Sequence, residues 1–248
     1  MLNLLWCEYT KLKHSKILFI GILSTLIVPF FVIITAVINC LMKPGTNISL
    51  FSLYDSALMF LMLLSAPIVL TILGTWIISR EYTDGTLKNI LVIPVSRTVF
   101  LTGKLLFLAI LSLLFMLVSW LEILLFAYLC SFFFPVTELT VLSALFFLMK
   151  MLHGGILLFA TQTPFLYLTV RTKGFAVPLI AITAVSLINV VLSNSPAAGF
   201  YPWAASYLLI NGRLSGSGCS RAVSTIIILI LCLLGIAASL LSFRKAEE

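Results

Sequence analysis

The sequence predicts an all-α, polytopic membrane protein with six transmembrane helices, an N-terminal interfacial helix, a short cytoplasmic amphipathic helix and a re-entrant outer segment before the last span. Three observations carry this. Hydrophobic residues make up 62% of the chain and charged residues only 9%, against roughly a quarter charged in a soluble domain, so the chain cannot cover itself with a polar surface. The apolar residues fall in runs near or above the ~20 needed to cross a bilayer core. Finally, a polar island over residues 80–104 separates two of those runs. The mean hydropathy of +1.22 points the same way. A net charge of +7 reads here as topogenic charge in the cytoplasmic loops, not as a nucleic-acid surface.

Residues 1–16 read as the interfacial helix. Leu2, Leu5, Trp6, Tyr9 and Leu12 recur at helical spacing, with Asn3, Glu8, Thr10 and Lys11 on the other face. Trp and Tyr on an apolar stripe suit the headgroup level. The following run, Ile17 to about Ile38, is too long for a signal-peptide core and lacks a small-residue cleavage site. It is therefore the first span. Further spans are expected at about Ala57–Ser79, Leu105–Cys130, Leu139–Val170, Phe175–Leu192 and Ala222–Phe243. The fourth carries Gly154, Gly155 and Pro164, which predict a kink or break.

The flanking charges set an orientation. One set of loops and termini holds Lys11, Lys13, Lys16, Arg80, Lys88, Arg97, Lys104, Arg171, Lys173, Arg244 and Lys245, whereas the other holds only Lys43, Arg213 and Arg221. The excess places both termini and the Arg80–Lys104 loop in the cytoplasm. Residues 1–248 form one transmembrane domain on this reading. Within the island, Asp84 can cap a short helix through its carboxylate, and Leu87, Ile90 and Leu91 then share one face. Pro94 disfavours helical geometry at Ile93 and ends the helix. At the opposite surface, residues 193–221 are apolar and aromatic but interrupted by Pro and Gly. They are too broken to span, and a re-entrant or interfacial hairpin is expected, with neighbouring protein covering its free backbone groups.

Few residues invite chemistry. Glu122 and Lys150 lie inside spans, where a charge costs roughly 2.5–3.5 kcal/mol. They fall ~12 Å and ~16 Å from the outer ends of consecutive antiparallel helices, so a polar patch of Glu122, Lys150 and His153 is expected. It would line a substrate path or a subunit seam, or else be a structural ion pair. No catalytic or metal site is expected. There is no H-E-x-x-H, and no cysteine pair or histidine at metal-ligand spacing. Ser217, in S-G-S-G, has no histidine near it in sequence. There is no phosphate loop, since Gly103-Lys104 lacks the first glycine and the hydroxyl residue. Cys40, Cys130 and Cys219 all fall near the outer side, so a disulfide is open, although free thiols are the simpler expectation.

One pattern spans the whole chain. Arg80-Glu81-Tyr82-x-x-Gly85-Thr86-Leu87-Lys88-x-x-Leu91-x-x-Pro94-x-Ser96-Arg97, with Gly103-Lys104 opening the third span, resembles the permease subunit of a type-2 ABC exporter. The N-terminal Glu8-Tyr9-x-Lys11-Leu12-Lys13-x-Ser15-Lys16 is similar to the lantibiotic-immunity and bacitracin-resistance permeases of Gram-positive bacteria. The resemblance implies a coupling helix over Glu81–Leu91 that docks on a separate ABC ATPase. Leu87, Ile90 and Leu91 would fill its groove, Asp84 and Lys88 would make rim contacts, and Gly85 and Thr86 belong to the same motif. It further implies a second permease chain, identical or paralogous, and ATP used by the partner, with no cofactor on this chain. The cargo would be a peptide met at the membrane lipid of a bacterial cell. The alternatives are export of another amphipathic or lipid-like cargo, or a multi-span sensor or scaffold without transport.

Overall fold

The computed structural model describes residues 2–43, 45, 47–83, 97–216 and 218–245. Helix dominates. α1 (Leu2–Lys13) ends where Ser15 turns into extended backbone, and α2 (Lys16–Met42) begins immediately after. α3 (Leu50–Phe60) runs through a π-helical turn, Leu61–Ser65, into α4 (Ala66–Thr83). α5 (Arg97–Cys130) and α6 (Val141–Thr172) are the longest elements. α7 (Ala176–Leu192), α8 (Pro202–Asn211) and α9 (Arg221–Lys245) complete the chain. Two-residue strands, β1 (Ile48–Ser49) and β2 (Val136–Thr137), pair in parallel and clasp the α2–α3 turn to the α5–α6 turn.

Among the described residues, five helical segments are long and apolar enough to cross a membrane: Lys16–Met42, Leu50–Thr83, Thr98–Cys130, Val141–Thr172 and Arg221–Phe243. The expected fifth span is the shorter α7, of 17 residues. At 1.5 Å per residue it is about 25 Å long, against about 30 Å of hydrocarbon. The chain then folds back through a 3-10 turn (Ala198–Phe200) into α8.

α6 is the hub, packing on α9, α5 and α4. Small residues let the helices approach. A Cβ on Gly235 of α9 would lie 2.8 Å from the Thr163 carbonyl carbon, and one on Gly155 would lie 3.1 Å from Ser112 O of α5. Of the kink or break expected in the fourth span, the break is absent, because α6 runs through Gly154, Gly155 and Pro164 without interruption. The glycines serve close packing. The carbonyl that Pro164 leaves without its usual amide, that of Ala160, accepts from Thr163 Oγ1 at 2.9 Å. The irregular turn lies in the second span instead, just ahead of Pro67. Pro67 has no amide for the Leu63 carbonyl, and Asn189 Nδ2 of α7 donates to that oxygen at 3.3 Å.

The segment expected at the outer surface is more ordered than its Pro and Gly content predicts. Pro202 starts α8 at a position where no amide is needed, and Gly212 ends it in the left-handed region at φ +66°. Ala204, Ala205, Ser206, Tyr207 and Leu208 are all buried. Trp203 Nε1 donates to Thr161 O of α6 at 3.0 Å, and Ser224 Oγ of α9 donates to Gly199 O at 2.8 Å. An exposed ion pair, Arg213 to Asp55 at 2.6 Å, ties the segment to α3.

Candidate coupling site

The coupling residues Asp84, Gly85, Thr86, Leu87, Lys88, Ile90 and Leu91 lie outside the described residues, as does most of the loop. What the structure describes is the base from which that loop springs. Glu81 does not open a separate helix; it sits in the last turn of α4 and is 3% exposed. Lys104, in the second turn of α5, is 2% exposed, and Glu8 of α1 is 7% exposed.

These residues form one cluster. Lys104 Nζ lies 2.9 Å from Glu8 Oε1 and 3.0 Å from Glu81 Oε1, and donates to Ile77 O at 2.8 Å. The three acceptors match the three N–H donors of an ammonium group. Lys11 Nζ adds contacts of 2.7 Å to Glu81 Oε1 and 3.9 Å to Glu8 Oε1. Among the described residues, two carboxylates thus meet two ammonium groups. Full pairing is what makes such burial tolerable, because an unpaired buried ion is heavily penalised. The Phe100 ring adds a cation–π face 5.0 Å from Lys104 Nζ.

Local sequence explains the convergence. Ile77 and Glu81 stand four apart on α4, Phe100 and Lys104 four apart on α5, and Glu8 and Lys11 three apart on α1, so each pair shares a helix face. Around them lies an apolar cluster containing Leu12, Ile77, Ile78, Phe100, Leu101 and Leu105, with Leu4 and Leu5 packed against it. The expected stripe of α1 is thus split: Leu5 and Leu12 turn inward, Trp6 and Tyr9 do not, and Glu8 and Lys11 join the inward face. Glu8 and Leu12 are buried, Lys11 and Leu5 are half-buried, and Trp6 and Tyr9 point outward at 67% and 45% exposure. Docking of α1 by its charges overrides the simple apolar stripe.

Sequence reasoning placed Lys104 among the topogenic charges and Glu8 and Lys11 on a solvated face. A signal was available. Leu101, Leu105 and Leu108 flank Lys104 on one helical face, and a lysine on a buried apolar face needs an acid.

The expected intramembrane patch is not assembled. Glu122 Oε1 accepts from Thr25 Oγ1 of α2 at 3.0 Å. Lys150 Nζ lies instead over the Phe146 and Phe147 rings of its own helix, at 4.9 Å and 5.5 Å, and His153 is exposed. No ion pair joins Glu122 and Lys150. The reason is rotational. Trp120 Nε1 donates to Ala144 O of α6 at 2.9 Å, and two residues on, about 200° around the helix, Glu122 faces α2. Similar depth does not make a shared face. Among the described residues no group of acids, histidines and cysteines could hold a metal ion, and all five cysteines are free thiols.

The geometry is that of an apolar helical bundle in which an ion cluster ties together the two helices that flank residues 84–96. Residues 4–192 match the ABC-2 family transporter proteins, and the chain belongs to that family. It is also 27% identical over 199 residues to the bacitracin transport permease protein BCRB of Bacillus licheniformis, covering 78% of this chain and 90% of that protein. The chain is accordingly a multi-pass transmembrane permease of the ABC transporter class, and membership in that class implies an ABC ATPase partner.

Proposed function

We propose that this permease expels an antimicrobial peptide, lantibiotic- or bacitracin-like, from the membrane of a bacterial cell, using ATP hydrolysed by its partner. The observation that carries the coupling half of this reading is the buried ion cluster. It binds the last turn of α4 to the second turn of α5 at Glu81 and Lys104, so a push on the loop between them reaches two spans at once. The similarity to a bacitracin transport permease supports the cargo half. In this reading residues 84–91 form the coupling helix. Leu87, Ile90 and Leu91 seat in the ATPase groove, Asp84 and Lys88 contact its rim, and both termini are cytoplasmic. A second permease chain, identical or paralogous, completes the transporter.

Affinity capture of the tagged protein from its own host, with mass spectrometry of what accompanies it, tests the coupling half. A stoichiometric ABC ATPase is expected, and it is lost in Leu87→Asp although that variant still inserts. Recovery of the permease alone, under conditions that keep a known ABC exporter intact, would refute the coupling helix. The cargo half predicts that cells lacking the gene become more sensitive to bacitracin or to a lantibiotic. Unchanged sensitivity across such peptides points to a lipid-like cargo.

A further inference from the structure

We propose that the outward face of the α1–α2 joint docks on anionic lipid headgroups of the cytoplasmic leaflet, and that this contact sets the position of α1 and hence of the ion cluster beneath the loop. The inference rests on the coupling reading and adds a regulator to it. α1 has two unlike faces. The inward one carries Leu4, Leu5, Glu8, Lys11 and Leu12, which meet the bundle. The outward one carries Trp6, Tyr9, Lys13, His14 and Lys16, all exposed, with the Trp6 and Tyr9 rings 5.6 Å apart and tilted.

Three features select an anionic membrane surface as the occupant. The first is charge: Glu8 is the only acid in residues 1–16, and the cluster holds it on the inward face. The outward face therefore presents cations alone. The second is the aromatic pair, whose apolar bodies and polar tips suit the headgroup layer. The third is reach. Lys16 is the first residue of α2, a candidate span, so the cationic turn cannot leave the edge of the bilayer. Lys13 and Lys16 flank Ser15, whose backbone is extended at φ −103° and ψ 146°, and this break lets α1 lie at an angle to the span.

The same short helix thus touches lipid on one side and, on the other, the carboxylate and ammonium that join α4 to α5. Lipid that holds α1 down keeps Glu8 within reach of Lys104. In a neutral leaflet α1 loses that support, and the root of the loop loosens.

The test uses the full chain in vesicles of phosphatidylcholine with increasing phosphatidylglycerol. Cys7, exposed beside Trp6, carries an environment-sensitive maleimide dye in a variant with the other four cysteines replaced by serine. Its emission is expected to shift to the blue as phosphatidylglycerol rises, and added salt should reverse the shift. Half-saturating phosphatidylglycerol should rise about fivefold for each of Lys13→Gln and Lys16→Gln. Emission that ignores phosphatidylglycerol, or that shifts only when the ATPase is added, overturns lipid docking and makes α1 a protein contact.

A second arm uses the wild-type permease with its captured ATPase. Stimulation of ATP hydrolysis should rise with phosphatidylglycerol and lose that dependence in the double lysine variant. A dye shift without this dependence overturns regulation. Absence of stimulation in every lipid overturns the coupling reading itself, and the dye arm still decides docking.

Discussion

Lys104 answers to two acids and a carbonyl at once, and its replacement is expected to be costly in a particular way. Lys104→Met leaves Glu8 and Glu81 facing each other with Lys11 as their remaining described cation. Breaking a buried ionic cluster from one side costs about 3–5 kcal/mol, which should appear as a lower melting temperature in detergent. Adding Glu8→Gln removes one uncompensated charge, so the double variant should melt above Lys104→Met alone. If both single variants and the double variant match wild type, the cluster contributes nothing. Glu122 is a milder case. Its Oε1 depends on Thr25, while its Oε2 is buried without a partner. Thr25→Val strips the first oxygen as well, and about 1–3 kcal/mol of stability should be lost. Glu122→Gln in the Thr25→Val background should recover part of it, since an amide is cheaper to bury unpaired than a carboxylate.

Among the elements, the crossing of α9 on α6 is the most tightly specified. Gly235→Leu puts a side chain where Thr163 backbone already stands, so the helices must part; overpacking of this kind costs about 1–3 kcal/mol or more. Fluorescence-detected size exclusion after mild heating would register it, with Gly235→Ala as the smaller step. The contact between α7 and the second span is subtler. Asn189→Leu takes away the donor that serves the Leu63 carbonyl, and about 1 kcal/mol should go with it. A thermal midpoint equal to wild type would show that water replaces the amide. The helices themselves could be read from hydropathy, because a bilayer demands unbroken apolar runs and the chain supplies them. Their rotations could not. Glu122 and Lys150 sit at similar depths, yet only the Trp120–Ala144 hydrogen bond reveals that Glu122 turns away from α6. The apolar stripe of α1 misleads for the same reason: Glu8 and Lys11 look like a wet face until Glu81 and Lys104, distant in sequence, arrive to neutralise them. Pro164 announced a kink or break, and the helix is not broken there, since a threonine hydroxyl one residue earlier serves the freed carbonyl.

Across the whole molecule, the strand clasp and the ion cluster pin different sets of elements. β1 and β2 hold the α2–α3 and α5–α6 turns together, while Glu8, Glu81 and Lys104 hold α1, α4 and α5 at the other end. Between them lies the π-turn at Leu61–Ser65, where Ala66 N–H reaches back to Leu61 O. Such a turn stores one surplus residue in an otherwise regular helix. The turn takes up that residue locally: removing one residue there would restore even winding with both halves of the span in place, whereas removing one from the last turn of α3 would rotate everything ahead of it by ~100°. Tyr54, fully buried against the Phe147 ring at 4.4 Å, would be carried out of its slot, although every residue from Ala66 to Thr83 could stay where it is. A deletion inside Leu61–Ser65 is therefore expected to be tolerated, while insertions or deletions elsewhere along this span are expected to be far less forgiving than substitutions.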